Sequence, residues 1–148
     1  TVTNNYFADL ADGVFRITSG IPDSELKGYF QAKRCQIALN TAVNCKGAYL
    51  ELDAGIGTSR RTLRPEQITV TGNVFILPAQ GATLIKGMEG ENWKWADNIA
   101  FGPNLEGDYR GFAIKDPQIH LPPDSVHPLT PKDVGPSWSD GLVRVTPP

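Results

Sequence analysis

Trp93 and Trp95, separated by Lys94, are the residues of this sequence best suited to hold a visiting molecule. In an extended segment, side chains two apart share a face, so both indoles point one way and Lys94 the other. Glu89, Glu91, Asn92, Asp97 and Asn98 surround them with polar groups rich in acceptors. An indole face stacks on the C–H surface of a sugar ring while such groups fix its hydroxyls. The same pair can anchor a protein partner, because Trp often supplies binding energy at interfaces. The plainer alternative is that both rings are core, since Trp is highly buried on average. The expected ligand site is therefore Trp93, Trp95, Asn92 and Asp97, facing carbohydrate or protein.

His120 and His127 are the only histidines, and Asp124 lies between them. A His–carboxylate pair can pass a proton, which makes His120, His127 and Asp124 the catalytic set of a rival reading. That rival is a small β-barrel hydrolase, lyase or isomerase. The His-x3-Asp-x2-His spacing matches no dependable metal pattern, so no metal and no cofactor are expected. Glu51, Asp53, Glu106 and Asp108 are the carboxylates that fall at strand ends or turns.

Gly55-Ile56-Gly57-Thr58-Ser59 invites comparison with phosphate-cradling loops. A dinucleotide fingerprint needs a third glycine and a helix starting there, and Pro65 interrupts any such helix. What remains is a loop beside Arg60, Arg61 and Arg64, a combination able to hold an anion. No G-x-S-x-G elbow, C-x-x-C, H-E-x-x-H, EF-hand or P-loop occurs. In texture alone the chain resembles small β-rich lectins and protease inhibitors, and texture does not determine function.

Cys35 and Cys45 are the only cysteines. Their closeness suits a local disulfide across a hairpin, contributing ~2.8 kcal/mol on the chain-entropy model. A disulfide in turn implies an extracellular, secreted protein. Two buried free thiols are the other possibility.

The elements that must position these groups read as short strands. The chain has 148 residues, the size of one domain, with 15 Gly and 12 Pro scattered between short apolar runs. Alternation marks strands at 14–18 and 48–53, and further strands at 83–86, 93–95, 109–115 and 142–145. Ile68 and Val70 alternate with Thr69 and Thr71, and Gly72-Asn73 then suggests a hairpin turn into 74–77. One short helix is expected after Pro22, capped by Asp23 or Ser24 and carrying Leu26, Tyr29, Phe30 and Lys33 at helical spacing.

Residues 116–136 contain six prolines and should form an extended loop. The pattern D-G-φ-φ-R-φ-T (φ, apolar) occurs at 12–18 and again at 140–146. Similar strands near both termini suit a closed sheet without edges. The expected fold is therefore one all-β domain over 1–148 with one short helix, as a closed antiparallel barrel, a β-trefoil or a sandwich.

Formal net charge is −2, with 14 basic and 16 acidic side chains. Nucleic acid binding needs a positive field that this balance does not supply. The longest apolar run, Val74 to Leu77, is far below the ~20 residues of a membrane span. These readings converge on a secreted, non-catalytic module that binds carbohydrate or protein. Its oligomeric state is not legible.

Overall fold

Asn5, Asn40, Asn73 and Asn98 each follow a residue at positive φ: Asn4 (57°), Leu39 (54°), Gly72 (62°) and Asp97 (54°). One left-handed residue turns an extended chain sharply, so each marks a corner. The computed structural model describes residues 1–25, 28–103, 105 and 109–118. Among them, short strands run between such corners: β1 (Val2–Thr3), β2 (Tyr6–Ala8), β3 (Phe15–Thr18), β4 (Gln36–Ala38), β5 (Thr41–Val43) and β6 (Gly47–Ala54). The remainder are β7 (Thr69–Thr71), β8 (Val74–Ile76), β9 (Ala82–Lys86), β10 (Lys94–Ala96), β11 (Asn98–Phe101) and β12 (Phe112–Ile114).

Every pairing between named strands is parallel. The sheets run β1-β4-β7-β10, β12-β11-β8-β5-β2 and β3-β6-β9. The chain thus visits three sheets in rotation and stacks each circuit on the one before. The architecture is a parallel β-solenoid, in which each circuit contacts its neighbours.

The corners explain how the circuits hold register. Asn5 Nδ2 donates to Asn40 Oδ1 (3.0 Å), Asn40 Nδ2 to Asn73 Oδ1 (3.0 Å), and Asn73 Nδ2 to Asn98 Oδ1 (2.9 Å). The backbone N–H groups of Asn40 and Asn73 donate to the next asparagine's Oδ1, each at 3.0 Å. Asn40, Asn73 and Asn98 are buried, and each also donates to a main-chain carbonyl, of Val2, Ile37 and Val70 respectively. The ladder satisfies buried polar groups that a sharp corner would otherwise orphan. Gly72 belongs there because a Cβ would lie 2.9 Å from Leu39 Cδ2, at a φ that side chains disfavour.

Inward rows fill the core. Phe7, Ala42, Phe75 and Ala100 stand in register, large alternating with small. Ile37 and Val70 form a second row, flanked in register by the exposed Val2 and the half-buried Trp95, and Phe15, Leu50 and Ile85 form a third. Phe75, fully buried, meets Phe15, Tyr49 and Phe112 at ring-centroid distances of 6.0, 5.4 and 5.4 Å.

This fold corrects the expectation of a closed antiparallel barrel, trefoil or sandwich. A strand's apolar alternation is the same whether its neighbour is parallel or antiparallel, so the segments were legible and their pairing was not. Gly72-Asn73 is no hairpin turn. β7 pairs with β4 and β10, β8 pairs with β5 and β11, and Asn73 turns inward between two sheets.

The expected helix is also absent among the described residues. Leu26 lies outside the described residues, and those around it form turns and bends: Asp23 has φ 54°, Ile21 N–H donates to Tyr29 O, and Gly28 N–H donates to Glu25 O. Bridges from Gly20 to Leu63 and from Lys33 to Glu66 pin this loop to the next one. Tertiary pairing overrides a weak helical pattern already interrupted by Gly28. The proposed strand at 142–145, and with it the second D-G-φ-φ-R-φ-T copy, lies outside the described residues.

Candidate binding face

Phe15, Leu50 and Ile85 point inward, so their neighbours Arg16, Glu51 and Lys86 stand in one outward row across β3, β6 and β9. Arg16 Nε lies 2.7 Å from Glu51 Oε2, and Lys86 Nζ lies 3.1 Å from Glu51 Oε1. Each carboxylate oxygen therefore faces one cation from an adjacent circuit. Burial pushes the Glu51 carboxyl up, but hydrogen bonds from Lys86 and Arg16 outweigh it and hold it below the usual carboxylate range. Both cations are well exposed, so the pairs orient side chains more than they stabilise the fold.

Asp12, Thr83 and this row enclose a cleft of about 250 Å³. Its floor is backbone at Gly13 and Gly47. A Cβ on Gly13 would sit 2.5 Å from Ala48 O, and one on Gly47 would sit 2.9 Å from Asp12 Oδ1. Asp12 Oδ1 accepts the Gly13 N–H at 2.8 Å, which fixes the carboxylate at the rim. Carboxylates, cations and a hydroxyl thus line one cleft on the sheet face. Glu51, ion-paired on both oxygens, is a standing acceptor and a poor proton donor.

The anticipated indoles lie elsewhere, on the edge strand β10 of the described stack. Trp93 and Trp95 rest on each other, with centroids 5.6 Å apart and planes at 23°. Trp93 Nε1 donates to Pro65 O (2.9 Å), and Trp95 Nε1 donates to Glu89 Oε1 (3.0 Å). Arg110 Nη1 lies 3.2 Å from the same Glu89 oxygen. Both rings are half-buried and pack on the core, and Trp95 also meets Phe112 at 6.1 Å. Asn92 and Asp97 are exposed, and both serve left-handed backbone turns, at φ 58° and 54°.

Arg60, Arg61 and Arg64 follow one another closely, but their side chains part. Arg64 Nε turns to the buried Asp53 Oδ2 (3.2 Å), Arg60 lines a cleft with Asp23, Ser24 and Glu25, and Arg61 lies over Tyr29. His120, His127, Asp124, Glu106 and Asp108 lie outside the described residues, as does the 116–136 loop beyond Gln118.

Cys35 and Cys45 are both free, which corrects the expected disulfide. The hairpin that would have joined them does not exist, since β4 and β5 lie between them in different sheets. Cys45 is buried beside the Tyr49 hydroxyl, and Cys35 is partly buried. The extracellular expectation thereby loses the bond on which it rested.

Asp12, Arg16, Thr83 and Lys86 were not singled out by the sequence reading. The signal existed: Arg16 and Glu51 are 35 residues apart, as are Asn5 and Asn40. A recurring interval of that length is the mark of a solenoid.

Comparison with protein-family models, curated proteins and solved structures finds no match to this chain. Among the described residues no helix is long and apolar enough to cross a membrane.

Proposed function

We propose that this chain is a non-catalytic binding module that recognises carbohydrate at the outer face of β3, β6 and β9. The observation that carries the reading is the Arg16–Glu51–Lys86 row beside Asp12 and Thr83 around one small polar cleft. A sugar ring offers alternating hydroxyl donors and acceptors, and this row offers their complements. Ion pairing sets the side chains before a ligand arrives, which lowers the ordering cost of binding. Charge-assisted hydrogen bonds strengthen the contacts made. The cleft is below the usual volume of a drug-sized site, consistent with holding one ring of a longer chain.

A glycan array with titration calorimetry on its best hit tests this. Glu51→Gln and Lys86→Ala should each weaken that hit about tenfold or more, equivalent to ~1.4 kcal/mol. Folding stability should move by no more than about 1 kcal/mol, as for exposed ion pairs. An empty array contradicts the reading. So does a hit indifferent to both substitutions but lost in Trp93→Ala, which would move the site to the indoles.

A further inference from the structure

Arg61 differs from every other described cation. Arg16, Lys33, Arg64, Lys86 and Arg110 each face a carboxylate. Arg34, Lys46, Arg60, Lys94 and Lys115 are exposed to water. Arg61 alone among the described cations is half-buried without an ion pair, and its Nε is fully buried with no hydrogen-bond partner. A buried donor left unmade costs about 1–3 kcal/mol, and more when charged.

The side chain is nevertheless packed closely. Its Cζ lies 3.4 Å from the centroid of the Tyr29 ring. Its Nη1 occupies the space of a Cβ on Gly55, a position at φ 81° that favours glycine. The loop beneath is closed by Arg61 N–H to Thr58 O (2.8 Å) and Gly57 N–H to Arg61 O (2.9 Å). Nearby acids are engaged or face another way: Asp53 holds Arg64, while Asp23 and Glu25 line the cleft that Arg60 enters.

We propose that Arg61, packed against Tyr29 and Gly55, anchors an oxyanion-binding site on the loops that follow β3 and β6. With Nε buried, the terminal Nη groups are the donors left to grip a carboxylate or phosphate oxygen pair. This site is separate from the cleft on the sheet face and does not depend on it.

The test uses the ¹⁵N-labelled chain and the Nε–Hε resonances of its arginines. Inorganic phosphate and acetate are titrated separately at constant ionic strength. The Arg61 resonance, identified by its loss in Arg61→Gln, should shift along a saturating curve with at least one anion, while those of Arg34 and Arg60 drift without saturating. Which anion saturates it separates a phosphate from a carboxylate ligand. Tyr29→Leu should weaken the affinity several-fold, and Arg61→Lys should lose most of it while keeping the charge. A linear Arg61 shift with both anions overturns the proposal. So does saturation elsewhere that survives both Tyr29→Leu and Arg61→Lys.

Discussion

Tyr49 shows how a single hydroxyl can serve two circuits. It is fully buried, accepts the Cys45 N–H at 2.9 Å and donates to Ile76 O at 2.5 Å. Burial pushes its ionisation well above that of a free tyrosine, and the neighbouring Cys45 thiol is raised by burial as well. A raised pKa means the unfolded chain loses its proton first, so stability is complete below the unfolded value and declines above it. Stability should therefore fall above about pH 8.5 as cysteine titrates and more steeply above about pH 10 for tyrosine. Tyr49→Phe should cost about 1–3 kcal/mol at pH 7 by stranding the Cys45 N–H and the Ile76 carbonyl. It should also flatten the decline above pH 10. Urea unfolding at several pH values checks both effects. The sequence made Glu51 visible as a carboxylate worth inspecting, but not its partners, because they reach it from other circuits.

Strands and corners differ in how much of them could be read. Phe15–Thr18, Gly47–Ala54 and Ala82–Lys86 fall where strands were expected, but burial alternates only in the first, since Tyr49 beside Leu50 and Leu84 beside Ile85 are all buried. Corners resisted reading for a different reason. Leu39 adopts positive φ against its own preference and Asp97 adopts it more readily, both followed by asparagines that hold the corner. Nothing in a lone Leu-Asn or Asp-Asn pair announces this; only their recurrence before apolar triplets does. Asn73→Ala tests the corner. It removes the acceptor used by Asn40 and the donors to Ile37 O, Thr71 O and Asn98. Several buried groups are stranded at once, so the loss should reach at least about 3 kcal/mol in a urea titration.

For the whole molecule, stacking has replaced closure as the way of managing strand edges. A barrel abolishes edges, whereas a solenoid leaves one at each end of every sheet. Among the described residues the last rows carry bulky aromatics: Trp93, Trp95 and Phe112 lie over the core near β10 and β12. Around the first circuit, Val2, Phe7 and Phe15 border an apolar cleft of about 510 Å³. The Trp pair read from the sequence as a docking face thus also caps apolar surface, a role that depends on knowing which strand is last. Composition could not reveal that order, since parallel stacking is set by contacts 25 to 35 residues apart.

The outward charged row exists only if β3, β6 and β9 lie side by side and parallel. Nuclear Overhauser contacts between backbone protons of Glu51 and its neighbours measure that directly. Cross-peaks should run from the Glu51 strand to the strands of both Arg16 and Lys86, in the staggered pattern of parallel pairing. Cross-strand peaks joining Thr71 to Val74 in a hairpin, with none linking Glu51 to Arg16 or Lys86, would contradict it.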